Sequence, residues 1–170
     1  MVARSLEKLA TEIDTFVVAE REQRVLACVQ LKALGASEDG QFRQVGEVAA
    51  FCVHPDFRGT GAAVHPCCAC CARDAAALTL ALAGRGDSML DWVEQDARYQ
   101  GLDCLVLLTT RTADWFQARD FRLAGAAHSC QVLPADRRAR VDPKRNSQLY
   151  IKKLEPSNEA MSPAGTRIGF

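Results

Sequence analysis

A chain of 170 residues is long enough to bury a sizeable core and matches the usual length of one domain. Its 21 basic and 21 acidic residues cancel, which argues against a nucleic-acid partner and against a polybasic membrane surface. No apolar run reaches the roughly 20 residues of a membrane-spanning helix, and residues 1–14 lack the apolar core of a secretory signal. We therefore expect an intracellular protein.

The first third of the chain predicts one short helix and three strands. Apolar residues recur at helical spacing over residues 5–13. Runs of β-branched and aromatic residues at 15–19 and 25–31 predict a hairpin. Residues 46–53 are apolar enough for a central strand of a sheet. Pro55 ends this strand because proline has no N–H to donate to the ladder.

The remainder predicts two helices and three strands. Residues 87–100 carry the clearest amphipathic helix pattern, with Gly101 as its C′ stop. Thr112 is expected to cap a short helix over 113–119. The predicted strands are 102–108, 121–126 and 147–154.

Two segments lack periodicity. Residues 133–146 are basic and irregular, and residues 155–170 are expected to be a disordered tail. After the first helix, the element order β-β-β-α-β-α-β-β predicts an α+β fold, with one mixed, twisted sheet flanked by helices.

A glycine-rich stretch follows the third strand and precedes the long helix. Arg58-Gly59-Thr60-Gly61 leave the strand, and Gly84-Arg85-Gly86 lead into the helix. Joined directly, they form a tight turn whose backbone N–H groups and helix dipole attract an anion. Residues 62–84, here called the insert, interrupt this turn. We expect the function of the protein to be located at the turn.

The eight cysteines fall into two groups. Cys28, Cys52, Cys104 and Cys130 are scattered, and we expect them to be buried, reduced thiols. The other four are crowded within the insert at Cys67, Cys68, Cys70 and Cys71. Structural zinc sites usually need two spaced ligand pairs, so this crowding does not favour zinc, and no metal site is expected.

Two motifs resemble a known family. Val53 to Gly61, V-H-P-D-F-R-G-T-G, followed by Arg85-Gly86, resembles the acetyl-CoA signature of the GNAT N-acetyltransferases. Leu107 to Phe116, L-L-T-T-R-T-A-D-W-F, resembles a segment of the N-acetylglutamate synthase family. Similar short matches elsewhere extend the resemblance over most of residues 1–154. They are Val2-Ala3-Arg4-Ser5, Gly46-Glu47-Val48-Ala49, Leu133-Pro134 with Arg137-Arg138, and Arg145-Asn146-Ser147.

The resemblance implies a GNAT-like, mostly antiparallel sheet over residues 1–154 and transfer of acetyl from acetyl-CoA to the α-amine of L-glutamate, the first step of arginine biosynthesis. Acetyl-CoA would be the cosubstrate, and no metal is required. In the family, a first strand and helix and an amino-acid-kinase-like domain precede the region corresponding to Val2. This sequence contains neither. An oligomer is compatible with the resemblance, as is either the cytoplasm or a plastid.

The resemblance also implies where acetyl-CoA binds. Backbone N–H groups of the glycine-rich turn would hold the CoA pyrophosphate, and one in the strand segment Ala50 to Val53 would polarise the thioester carbonyl. The expected cofactor-binding residues are Phe51, Cys52, Val53, Arg58, Gly59, Thr60, Gly61, Gly84, Arg85, Gly86 and Phe116. The residues alone leave open that Phe116 is a core aromatic.

Five further residues receive roles from the resemblance. Glu47 would take the proton of the substrate amine, directly or through water. Arg4 and Arg145 would bind the carboxylates of glutamate. Thr109 would contact the reacting centre through its hydroxyl group, and Tyr150 would protonate the departing thiolate. The residues alone leave open that Glu47 is an exposed strand glutamate.

The sequence departs from the family pattern at the insert. Removing residues 62–84 restores an unbroken R-G-T-G-R-G, which suggests an unspliced intron in the gene. Two alternatives to glutamate acetylation stay open: a truncated, catalytically defective relative, and a GNAT acetyltransferase that acts on another amine.

Overall fold

The computed structural model describes residues 5–21, 23–57, 85–110 and 113–155. The α-helices are α1 (Leu6–Thr11), α2 (Arg85–Tyr99), α3 (Ala113–Gln117) and α4 (Ala135–Arg138). Short 3-10 helices occupy Ile13–Thr15, Pro55–Phe57 and Pro143–Arg145. The strands are β1 (Phe16–Arg21), β2 (Arg24–Gly35), β3 (Val45–Val53), β4 (Cys104–Thr109), β5 (Arg122–Ala126) and β6 (Gln148–Lys153).

The six strands form a mixed sheet in the order β1-β2-β3-β4-β6-β5. β3 pairs in parallel with β4, and β6 pairs antiparallel with both β4 and β5. A pair of parallel strands needs a crossover connection, and α2 lies in the connection between β3 and β4. The expected α+β class, the mostly antiparallel sheet and the central position of the third strand are confirmed.

By internal contacts, the described residues divide into two compact units. The first contains residues 5–29, 50–57 and 85–93, and the second contains Gln30–Ala49, 94–110 and 113–155. The strands β2 and β3 therefore contribute residues to both units. The predicted division into a domain over 1–154 and a tail over 155–170 stays a prediction. The insert and residues 156–170 lie outside the described ranges.

Helix ends follow local sequence signals closely. Gly101 has φ +73° and its N–H donates to the carbonyl of Arg98 at 3.0 Å, which confirms it as the C′ stop of α2. Asp120 takes the same left-handed conformation, φ +67°, after α3, a strain that aspartate tolerates better than most residues.

Two expectations about helices were wrong. α2 begins at Arg85, so Arg85 and Gly86 belong to its first turn and not to the preceding glycine-rich turn. The segment 133–146, predicted as irregular, contains α4 and the 3-10 helix Pro143–Arg145. Helices of three or four residues complete at most about one turn, so they leave no periodic apolar pattern in the sequence.

One face of the sheet carries the hydrophobic core of the second unit. The register aligns Val45 with Cys104 and Val106 with Ile151, so these residues share a face. Residues of the connections at 42 and 127–141 pack on it. The buried members of this core are Phe42, Val45, Cys104, Val106, Ala127, Val132, Leu133, Val141 and Leu149.

Gly46 points to the opposite face, where there is no room for a side chain. A Cβ atom at this position would lie 2.6 Å from Cδ1 of Leu102 and 3.1 Å from Cδ2 of Leu105. Both leucines are buried. The glycine is therefore required by the close approach of two leucine side chains to the β3 backbone.

We expect Gly46→Ala to lower the free energy of unfolding by about 1–3 kcal/mol, because the buried leucines must move. Urea denaturation of the whole chain measures the change. Leu102→Val removes the nearer methyl groups, so the double variant should lose less stability than the sum of the two single variants. Simple additivity would contradict the proposed clash.

Glu94 of α2 is a buried carboxylate, 6% exposed, that is held by two cations. Lys152 of β6 donates to its Oε1 at 2.5 Å. Arg98, one turn further along α2, donates to its Oε2 at 3.3 Å, which confirms the i, i+4 pair that the helix pattern suggests. A buried charge requires such partners, since its desolvation is otherwise uncompensated.

Lys152→Met should destabilise the protein by about 3–5 kcal/mol, because it leaves the Glu94 charge without its closer partner. Arg98→Ala, which removes the longer and more exposed contact, should cost about 1 kcal/mol or less. Thermal unfolding measures both. The double variant Glu94→Gln with Lys152→Met should recover most of the loss, and failure to recover would show that lysine packing, and not charge, matters there.

Candidate active site

β3 contains a backbone conformation that non-glycine residues rarely adopt. Ala50 has φ +51°, although it lies in the middle of a strand. Such a conformation costs about 1–2 kcal/mol for a residue with a Cβ atom, and strained backbone of this kind concentrates at functional sites. The thiol of Cys28 on β2 donates to the Ala50 carbonyl at 3.7 Å. The break marks the start of the segment expected to contact the thioester.

Phe51, Cys52 and Val53 follow this break as half-buried residues of β3. Because a residue at positive φ interrupts the regular alternation of a strand, the backbone directions beyond Ala50 differ from those of an unbroken strand. Their part in binding acetyl-CoA stays a prediction.

Glu47 lies on β3, three residues before Ala50, and is 5% exposed. It aligns with Val106 on the parallel strand β4. Among the described residues, the β3–β4 ladder ends at this pair, whereas β4 itself continues to Thr109. The alternative that Glu47 is an exposed strand residue is therefore wrong. It is a buried carboxylate at the last position where the two parallel strands pair.

Arg137 of α4 binds both carboxylate oxygens of Glu47. Its Nε donates to Oε2 and its Nη2 donates to Oε1, each at 2.6 Å. The hydrogen bonds and the negative charge of Glu47 raise the pKa of Arg137, against the opposing effect of burial. Although the Leu133-Pro134…Arg137-Arg138 match contains this arginine, the residues alone give no reason to pair positions 90 apart in the chain.

Thr109 and Tyr150 lie on the face of the sheet opposite to Glu47. The pair Val106–Ile151 lies on the same face as Glu47, and the next pair along β4 is Leu107–Tyr150. Successive residues of a strand point to opposite faces, so Tyr150 lies on the other face. Tyr150 is 6% exposed, and Thr109 is half-buried at the end of β4. Thr109 also lies about 10 Å further along the strand than Val106. The structure brings Thr109 and Tyr150 to a common face and does not bring them beside Glu47.

Arg145 is an exposed residue at the end of the 3-10 helix Pro143–Arg145. The side chain of Asp142 caps this helix by accepting from the N–H of Lys144 at 2.9 Å. Asn146, which follows, has φ +47°. The guanidinium of Arg145 is thus placed at the surface by a well-defined turn. Its expected partner Arg4 lies outside the described residues.

Phe116 is a core aromatic. It is 6% exposed and makes edge-to-face contacts with Trp115 and Phe121, at centroid distances of 4.9 and 5.5 Å. Arg119 lies over the Trp115 ring, 3.7 Å from its centroid, and donates to the Trp115 carbonyl at 2.7 Å. The packing alternative for Phe116 is supported, and its contact with CoA stays a prediction.

Much of the predicted glycine-rich turn lies outside the described residues: Arg58, Gly59, Thr60, Gly61 and Gly84, together with the crowded cysteines of the insert. In the part of the chain that is described, no three His, Cys, Asp or Glu side chains are grouped so as to hold a metal ion. No helix within that part is long and apolar enough to cross a membrane.

The scattered cysteines are free thiols, but the expectation that all four are buried was wrong. Cys104 is buried, whereas Cys28, Cys52 and Cys130 are half-buried. Burial raises the pKa of Cys104 to about 12, helped by the nearby charges of Asp103 and Asp39. Burial and the neighbouring Cys52 raise the pKa of Cys28. Both thiols therefore stay protonated at neutral pH and are poor nucleophiles.

Comparison with known proteins adds independent information. The profile of the Acetyltransferase (GNAT) family matches residues 3–65. The chain carries a GNAT domain. The chain is similar to an amino-acid acetyltransferase from Pseudomonas putida strain GB-1, with 36% identity over 154 residues. The aligned region covers 91% of this chain and 28% of that protein. The chain therefore spans little more than a quarter of the length of that curated relative. These bacterial relatives give no support to a plastid location.

Solved structures agree with this GNAT domain. N-acetylglutamate synthase from Neisseria gonorrhoeae, complexed with coenzyme A and N-acetyl-glutamate, is 26% identical, with a TM-score of 0.64 over 91% of this chain and 29% of that chain. An acetyltransferase of the GNAT family from Staphylococcus aureus MU50 is 14% identical, with a TM-score of 0.53, over 88% of this chain and 75% of that chain. The second likeness concerns the fold alone.

Proposed function

We propose that this GNAT domain transfers acetyl from acetyl-CoA to the α-amine of L-glutamate, the entry step of arginine biosynthesis. The observation that carries the proposal is Glu47: a buried carboxylate on the central strand, at the end of the parallel ladder. The relatives named amino-acid acetyltransferase and N-acetylglutamate synthase support amino-acid acetylation as the reaction class.

The chemistry assigns Glu47 the first step. The α-ammonium of glutamate has no lone pair, so it must give one proton to Glu47, directly or through one water. The freed nitrogen then attacks the thioester carbonyl carbon, and the carbon–sulfur bond breaks. The nitrogen loses a second proton as it becomes an amide, and CoA leaves as a thiolate that takes up a proton, so that charge and atoms balance. The products are N-acetylglutamate and CoA.

The thioester oxygen gains negative charge during the attack and needs a donor that is already in place. We assign this role to a backbone N–H in the segment Phe51 to Val53, because Ala50 turns the chain out of the regular strand conformation. The backbone at the start of α2, Arg85 and Gly86, would contribute to the pyrophosphate site through the helix dipole. Thr109 lies on the face opposite to Glu47, so it would contact the substrate only if the substrate extends past the end of β4 toward that face.

Tyr150 has the weakest support among the proposed roles. Because it lies on the face opposite to Glu47 and is nearly buried, it can protonate the thiolate only if sulfur departs toward that other face. The tests below also distinguish two alternatives to glutamate acetylation: acetylation of a different amine, and a domain that is catalytically defective.

Glu47→Gln should lower kcat with L-glutamate by about 10²–10⁴-fold, because the amide cannot accept the ammonium proton. The assay follows CoA release and confirms N-acetylglutamate by mass, on the chain as it stands and with residues 62–84 deleted. The matched control is Glu38→Gln, since Glu38 pairs with the neighbouring Arg138 in the same way. Absence of N-acetylglutamate from both wild-type forms would defeat the proposal.

The same assay with other amino acids and with peptide N-termini as substrates shows which amine the protein acetylates. Acetylation of one of these in place of L-glutamate would establish a GNAT acetyltransferase of different specificity. Activity that appears only after the deletion would support the unspliced-intron hypothesis.

Arg145→Ala should raise KM for L-glutamate by about 10–100-fold with little change in kcat, because a charge-assisted contact to a carboxylate contributes about 1.5–3 kcal/mol. Steady-state kinetics at varied L-glutamate measures this split. Arg140→Ala is the control, since Arg140 is also exposed and lies five residues earlier. Equal effects of the two substitutions would assign Arg145 to general surface charge and not to binding.

A further inference from the structure

Arg137 makes a two-bond contact with Glu47 in the described part of the proposed active site. Its two bonds to Glu47 run from Nε and Nη2 to separate carboxylate oxygens, and both are 2.6 Å long. This fork-to-fork arrangement fixes the plane of the carboxylate as well as its position. A lysine would fix the plane and the position of the carboxylate less well, because its ammonium group is a point charge that rotates freely.

The backbone segment that carries Arg137 is itself fixed in position. The N–H of Arg137 donates to the Pro134 carbonyl at 3.0 Å, within the single turn of α4. Leu133, just before this turn, is fully buried in the core of the second unit. The guanidinium therefore projects toward Glu47 from a segment that the core fixes.

We propose that Arg137 is a positioning residue: it fixes the orientation of the Glu47 carboxylate, so that this group can accept the proton of the substrate amine. The proposal rests on the proposed function of Glu47. Each carboxylate oxygen uses one lone pair toward Arg137, so the other lone pair of each oxygen remains able to accept a proton.

Burial explains why Glu47 needs a cationic partner. A carboxylate charge at 5% exposure is poorly solvated, so the protein must compensate it. The bonds to Glu47 raise the pKa of Arg137, so the guanidinium supplies this positive charge.

The test compares two arginines that are adjacent in the chain. Arg137→Lys keeps the charge and loses the fork, so kcat should fall about 10-fold through loss of orientation. Arg137→Met loses both, so kcat should fall about 100-fold or more. KM for L-glutamate should change less than about 2-fold, because Arg137 acts through Glu47. Arg138→Lys and Arg138→Met, which alter the exposed pair with Glu38, should leave kcat unchanged.

A double variant separates positioning from packing. In the Glu47→Gln background, Arg137→Met should cause no further loss of kcat, because the group that it positions is already inactive. This background also removes the buried charge, so the double variant remains foldable if Arg137→Met alone does not. Circular dichroism and thermal unfolding confirm that each variant compared is folded.

Three outcomes would overturn the proposal. They are a folded Arg137→Lys with wild-type kcat, an equal loss of kcat from Arg137→Met in both backgrounds, and equal effects at Arg137 and Arg138. If the chain acetylates another amine and not L-glutamate, the proposed function fails, and the same series on that amine still decides the role of Arg137. Transfer to no amine at all would refute both.

Discussion

The burial of one negative charge in the middle of the sheet constrains much of the second unit. Glu47 is on the central strand and almost inaccessible to solvent, so its charge must be compensated within the protein. The compensating cation comes from Arg137, 90 positions later in the chain. The segment that carries Arg137 therefore has to return to the β3–β4 pair. The core residues around Leu133 keep it there.

The same requirement recurs on the opposite face. Glu94 of α2 is also buried, and Lys152 of β6 supplies its cation. Among the described residues, each face thus has one buried carboxylate that pairs with a cation distant in sequence. Replacement of such a pair by apolar side chains is often neutral or stabilising in proteins, so a buried ion pair is weak evidence for stability alone. This favours a functional reason for the pair at the proposed active site, whereas the Glu94 pair links a helix to the sheet.

Backbone strain at Ala50 is a second, local constraint. An alanine at positive φ within a strand persists only when surrounding interactions over-determine it. Gly46, four residues earlier, shows the contrasting case: two leucines, and not an unusual φ, require a glycine there. Gly46 and Ala50 therefore have different physical explanations, although both appear in the sequence as small residues of one apolar strand.

Local patterns in the sequence determined the strands, the long helix with its stop at Gly101, and the glutamate of the central strand, because each depends on residues that are neighbours along the chain. The single-turn helix α4 escaped prediction, since four residues carry no period. Only the tertiary structure decided that Arg137 binds Glu47 and that Tyr150 lies on the opposite face. Both depend on strand register and on chain return over long separations, where a shift of one residue exchanges the two faces of a sheet.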